Sequence, residues 1–115
     1  MAITGAHVVL YTSEPEALRA ALSDALGWRS VDAGDGWLIF ALPPAELGVH
    51  PDERSDRRSL SLMCDDLEAT MAELRAKGIE FRGEPRDEGF GITVTMVLPG
   101  ETELMLYEPR HPTAI

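Results

Sequence analysis

The chain has 115 residues, enough for one domain with its own core. Its 20 acidic and 10 basic side chains leave a net charge of −10, which repels a nucleic acid or an anionic membrane rather than steering it in. A single cysteine, Cys64, allows no intrachain disulfide and fits a reducing cytoplasm, and no segment reads as a signal peptide or bilayer span, so the expected location is cytoplasmic.

Residues 6–12 alternate in character, predicting a strand with His7, Val9 and Tyr11 on one face and Val8 and Leu10 on the other. Ser13-Glu14-Pro15-Glu16 then predicts a helix start, with Ser13 as N-cap, Pro15 in the first turn and Glu16 completing a capping box. Leu18, Ala21, Leu22, Ala25 and Leu26 fall on one stripe, and Gly27 ends the helix. Strands are expected over 28–32, 37–42 and 45–50, broken by Ala33-Gly34-Asp35-Gly36 and by Pro43-Pro44. The charged, aperiodic stretch 52–57 reads as a linker.

The scheme then repeats. Residues 59–64 predict a strand, and Asp65-Asp66-Leu67-Glu68 a capped helix start. Leu67, Met71 and Leu74 form the next buried stripe, stopped by Lys77-Gly78. Strands are expected over 79–82, 92–98 and 102–108. Between the first two, residues 84–91 carry two glycines and four charges, which predicts a long exposed hairpin or lid. The tail 110–115 is expected to lie over the surface.

The two halves, 5–51 and 58–109, thus carry the same order of elements. His7-Val8-Val9-Leu10-Tyr11-Thr12-Ser13-Glu14 aligns without a gap on Ser59-Leu60-Ser61-Leu62-Met63-Cys64-Asp65-Asp66. Ala45-Glu46-Leu47-Gly48-Val49-His50 lies against Thr102-Glu103-Leu104-Met105-Leu106-Tyr107. Two copies are too few to stack as a solenoid, so a closed pseudo-symmetric pair around one cavity is the expected arrangement.

A tandem β-α-β-β-β unit, with a His in the first strand and a Glu-Leu pair opening the last, resembles the vicinal oxygen chelate superfamily. That group contains glyoxalase I, extradiol dioxygenases, fosfomycin-resistance enzymes and bleomycin-resistance binding proteins. The likeness covers nearly the whole chain. It is carried by the ending Gly100-Glu101-Thr102-Glu103-Leu104-Met105-Leu106-Tyr107-Glu108-Pro109 and by Met63-Cys64-Asp65-Asp66-Leu67 at the second strand-to-helix corner. It implies one α+β domain over 1–115, whose two βαβββ modules form a curved, cup-shaped mixed sheet. It also implies a homodimer, in which His7 of one chain meets Glu103 of the other.

In the metal enzymes of that group, ligands come from the first and last strand of each module. Carried over, those places fall at His7, Glu46, Ser59 and Glu103. Ser59 departs from the pattern, since a neutral hydroxyl is a poor ligand beside imidazole or carboxylate. His7, Glu46 and Glu103 remain as an oxygen-rich set for one divalent ion such as Fe, Mn, Ni or Zn. Against this, a strand histidine is commonly just hydrogen-bonded to a neighbour, and strand-end glutamates commonly reach solvent.

His50, four residues beyond Glu46, has the chemistry for proton transfer, as does Glu46 if it leaves the metal. A surface histidine at a strand end is the plainer reading. His111, between two prolines, is expected to lie apart from the chemistry. Tyr11, Trp37, Met63 and Tyr107, with the polar notch Ser59 and Ser61, are candidates for the wall of a cavity suited to a flat organic molecule, and equally for core. Cys64 is expected on the helix-packed face as an unreactive thiol. No Walker loop, dinucleotide fingerprint, paired-cysteine zinc spacing or nucleophile elbow occurs.

Two readings follow from the resemblance. One is a metal-dependent enzyme, lyase-, isomerase- or dioxygenase-like, in which the ion acts as Lewis acid on a substrate with two adjacent oxygens. The other is a metal-free protein of the bleomycin-resistance type that binds and sequesters a planar molecule. The retained His7 and Glu103 favour the first, the missing imidazole at position 59 the second, and the balance falls to the enzyme.

Overall fold

Asp66 sets the second half in motion. Its backbone is extended and its carboxylate accepts the Ala69 amide at 3.0 Å, which satisfies one of the free N–H groups at the start of helix α2 (Leu67–Ala76). A second donor there, the Leu67 amide, is taken at 3.0 Å by the Glu108 carboxylate from across the sheet. Helix α1 (Pro15–Asp24) begins differently from the expectation. Glu14, not Ser13, holds the cap position, and no side chain caps the helix. The Glu14 carboxylate instead accepts the Gly100 amide at 3.0 Å, so a contact between the two halves outweighs a local one.

A computed structural model describes residues 4–115. After α1 come β1 (Ser30–Asp32) and β2 (Leu38–Phe40), which pair antiparallel with Val31 opposite Ile39. β3 (Ser61–Met63) precedes α2, and β4 (Glu80–Asp87), β5 (Gly91–Leu98) and β6 (Thr102–Pro109) follow it. The four form one sheet in the order β3-β6-β5-β4, with β3 parallel to β6 and the other pairs antiparallel. The mixed α+β architecture and its sheet match the expected fold class.

Pairing assigns the two faces of that sheet. Ser61 opposite Met105, Met63 opposite Tyr107, and Thr95 opposite Met105 place these residues on one face, along with Thr93 and Glu103. The residues between them turn to the helices. Val94, Met96, Leu98, Leu104 and Leu106 join Leu67, Met71 and Leu74 of α2 and Leu18, Leu22 and Ala25 of the α1 region in one buried cluster. Cys64 packs against this cluster.

Three stretches depart from the sequence expectation. Residues 6–12 and 45–50 alternate like strands but join no ladder, because a strand exists only where a neighbour takes its backbone groups. Module one is left with a two-stranded ribbon, too small a sheet to be stable alone. The third is 84–91, which is the exposed hairpin of the two alternatives and not a lid; here β4 runs on to Asp87, further than expected, absorbing a register shift between Arg82 and Arg86 where Gly83 takes φ +76°. The turn to β5 is closed by the Glu88 amide donating to the Gly91 carbonyl at 3.0 Å.

Candidate ligand cleft

β3 is the edge strand of its sheet, and its free edge faces a cleft of about 1080 Å³. The opposite wall is module one's unpaired stretch 42–50. The floor combines Ser59, Ser61, Met63 and Tyr107 with Thr70 and Glu73 of α2 and Lys77 just past its end, and the tail residues His111 and Ile115 also line it. The cleft therefore draws on both modules.

Of the residues singled out from sequence, the structure brings Glu46, His50, Ser59, Ser61, Met63 and Tyr107 to this cleft. Tyr11 is 90% exposed and Trp37 60% exposed, and neither lines it. Trp37 instead lies beneath the Arg19 guanidinium, 6.0 Å from the ring centroid. His7 is exposed and also outside the cleft, as is Glu103. Thr70, Glu73 and Lys77 were missed, although their spacing along α2 places them beside the buried stripe and makes them findable. The tail had no such signal.

The two candidate carboxylates are already engaged. Glu46 accepts the Ala114 amide at 2.6 Å. Glu103 forms an ion pair with Arg82, whose guanidinium also meets Glu101 at 3.0 Å. Hydrogen bonding to Glu101, with the Glu103 charge beside it, holds the Arg82 pKa above its usual value. Among the described residues, no three His, Cys, Asp or Glu side chains converge on a point where an ion would sit. Within one chain, then, the donor set does not fit a metal.

Several of the cleft's polar groups take nearby backbone partners. His50 turns its Nδ1 to the Pro51 carbonyl at 2.7 Å. Lys77 points its ammonium at the Ala25 carbonyl at 3.5 Å, joining the two helix ends under the cleft. The Cys64 thiol points at the Tyr107 carbonyl oxygen, with 3.7 Å between sulfur and oxygen, and burial raises its pKa. Tyr107 is held from below by β5, where Gly91 leaves room for it. A β-carbon at Gly91 would stand 2.6 Å from the Glu108 carbonyl and 3.0 Å from the Tyr107 ring.

This arrangement has known relatives. The family profile described as Glyoxalase/Bleomycin resistance protein/Dioxygenase superfamily matches residues 5–111, and the chain belongs to that family. No curated protein matches it. Among solved structures, it is similar to TnmS3, an antibiotic binding protein from Streptomyces sp. CB03234, at 24% identity and a TM-score of 0.64 over 95% of this chain and 98% of that one. It is also similar to a superfamily member from Sphaerobacter thermophilus, at 19% identity and TM-score 0.63 over 94% and 98% of the two chains. A lactoylglutathione lyase from Agrobacterium tumefaciens shares 15% identity and a TM-score of 0.61 over 86% and 88%. At these identities the likeness is one of fold.

Proposed function

We propose that this protein binds a small, flat organic molecule in the cleft without a metal ion. The observation that carries this reading is the engagement of both candidate carboxylates, Glu46 by a backbone amide and Glu103 by a guanidinium. A cation would have to displace those partners before it gained a ligand. The cleft meanwhile offers a thioether and aromatic wall, Met63 and Tyr107, with the short polar groups of Ser59 and Ser61 to orient a guest. The antibiotic-binding protein among the structural relatives uses the same fold for binding. The net charge of −10 favours capture of a cationic guest.

The protein works as a homodimer in this reading. Val8, Val9 and Tyr11 on one unpaired stretch, with Val31 and Trp37 on the short ribbon, are exposed apolar side chains beside backbone with no strand partner. A second copy supplies that partner at least cost, since both copies carry the same strip.

Titration with proflavine, a planar fluorescent cation, tests the function. Saturable binding by metal-free protein, strongly weakened when Met63→Lys sets a positive charge in the cleft wall against the cationic probe, is the expected result. A stoichiometric divalent ion in the purified protein, absent from His7→Ala and Glu103→Ala, would restore the enzyme reading. Sedimentation tests the dimer, and a monomer at micromolar concentration would refute it.

A further inference from the structure

The tail after β6 lies over the surface, as expected, and polar contacts at both of its ends organise it. The Arg110 amide donates to the Phe90 carbonyl at 2.8 Å and its guanidinium meets Asp87 at 2.7 Å, fixing the point where the tail leaves the sheet. At the far end, the Ala114 amide donates to Glu46 at 2.6 Å, across to module one's wall of the cleft. Between these anchors, His111 lies over Tyr107, with ring centroids 6.1 Å apart and planes inclined by 33°.

The hydrogen bonds of His111 fix its tautomer. Nδ1 lies 2.8 Å from the Pro112 carbonyl, which only accepts, so in the neutral ring Nδ1 carries the hydrogen. Nε2 is then an acceptor, placed 3.4 Å from the Tyr107 hydroxyl. The ring is thus locally oriented at the end of the cleft, where Ile115 joins it.

We propose that residues 110–115 form a strap that closes one end of the cleft, and that His111 is a specificity-determining residue contacting the bound molecule. The inference rests on the cleft being the ligand site. The Arg110 anchor joins two segments of the sheet's own edge region, whereas the Glu46 anchor is a single exposed hydrogen bond between the tail and a wall with no ladder of its own. The strap therefore opens at its Ala114 end while staying attached at Arg110. A guest enters beneath it, and closure sets the His111 ring and the Tyr107 hydroxyl against the guest. An aromatic guest with a hydrogen-bond donor at its rim matches that pair, the donor going to Nε2 in place of the tyrosine hydroxyl.

The test uses the full chain with proflavine, an aromatic cation carrying rim amino groups, together with amide hydrogen exchange at Ala114. The Ala114 amide should be protected about tenfold or more in the native protein and unprotected in Glu46→Ala. Proflavine should bind about three- to tenfold more weakly to both Glu46→Ala and His111→Ala, the range of one lost ring contact. An Ala114 amide that exchanges at the free-peptide rate in the native protein overturns the strap. Native-like proflavine affinity in both variants overturns the role of His111. Met63→Lys, which sets a positive charge in the cleft wall, separates this from the cleft reading: unimpaired proflavine binding there removes the cleft as ligand site, and the strap is then decided by Ala114 protection alone.

Discussion

The Arg82 guanidinium on β4 reaches over β5 to the Glu103 carboxylate on β6, and Glu101 completes a three-charge group. Glu103 is one of the two carboxylates that the resemblance assigns to a metal. A fixed cation from the chain itself stands against it, so an incoming ion meets both competition and repulsion. Arg82→Ala removes both. Mn²⁺ titration should show tighter binding to this variant than to the native protein, by at most about fivefold, because exposed pairs of this kind are weak. Equal affinities would mean that the pairing does not control access to Glu103.

Cys64 offers a chemical reading of the cleft. Burial raises its pKa, so less thiolate is present at neutral pH and alkylation by iodoacetamide should run several-fold slower than for free cysteine. Because the residue also borders the cleft, saturating proflavine should slow the reaction further. A rate equal to that of free cysteine, or one indifferent to proflavine, contradicts this placement.

The core and the cap should differ in weight. Met96 is fully buried between the sheet and the helices, and Met96→Ala should destabilise the fold by about 2–5 kcal/mol in urea unfolding. Asp66→Ala removes one helix cap and should cost about 1 kcal/mol. A Met96→Ala cost below that of Asp66→Ala would show that the second-module sheet is not where the stability lies.

Asp87 links the acid limb of stability to the tail. The Gly89 amide, then the Arg110 guanidinium, hold its carboxyl below the ordinary value of 3.8. A lowered folded-state pKa contributes stability that is complete above the unfolded value and lost as pH falls through the folded one. Native protein should therefore exceed Asp87→Asn in stability at pH 6, and the difference should close as the pH is taken below 3.8. A gap that is constant with pH would show that the carboxylate charge plays no part.

Much of the fold was legible because short-range chemistry decided it. Leu67, Met71 and Leu74 recur at helical spacing and all are buried, and Asp66 caps the helix they form. The alternation in residues 92–98 and 102–108 marked the two inner strands of the sheet. Ser13 was misread because nothing local reveals that Glu14 spends its carboxylate on Gly100. Over 84–91 the choice between hairpin and lid stayed open because glycine marks a bulge as readily as a loop, and only the pairing of Arg82 with Thr95 and Arg86 with Thr93 decides for the hairpin. For the site, Met63, Ser61 and Tyr107 followed from alternation, while the places of Trp37 and Tyr11 depended on sheets that module one does not close by itself.

By itself the amino-acid order determined the two helices and the central strands, since each is written in periodicities of two or 3.6 residues. Only the tertiary structure decided which partners Glu46, Glu103 and His111 take. Those contacts join residues 68, 21 and 4 positions apart, through hydrogen bonds that no sequence spacing encodes. Long-range polar pairing depends on where the chain brings two side chains together, and that is settled by packing of the apolar residues around them.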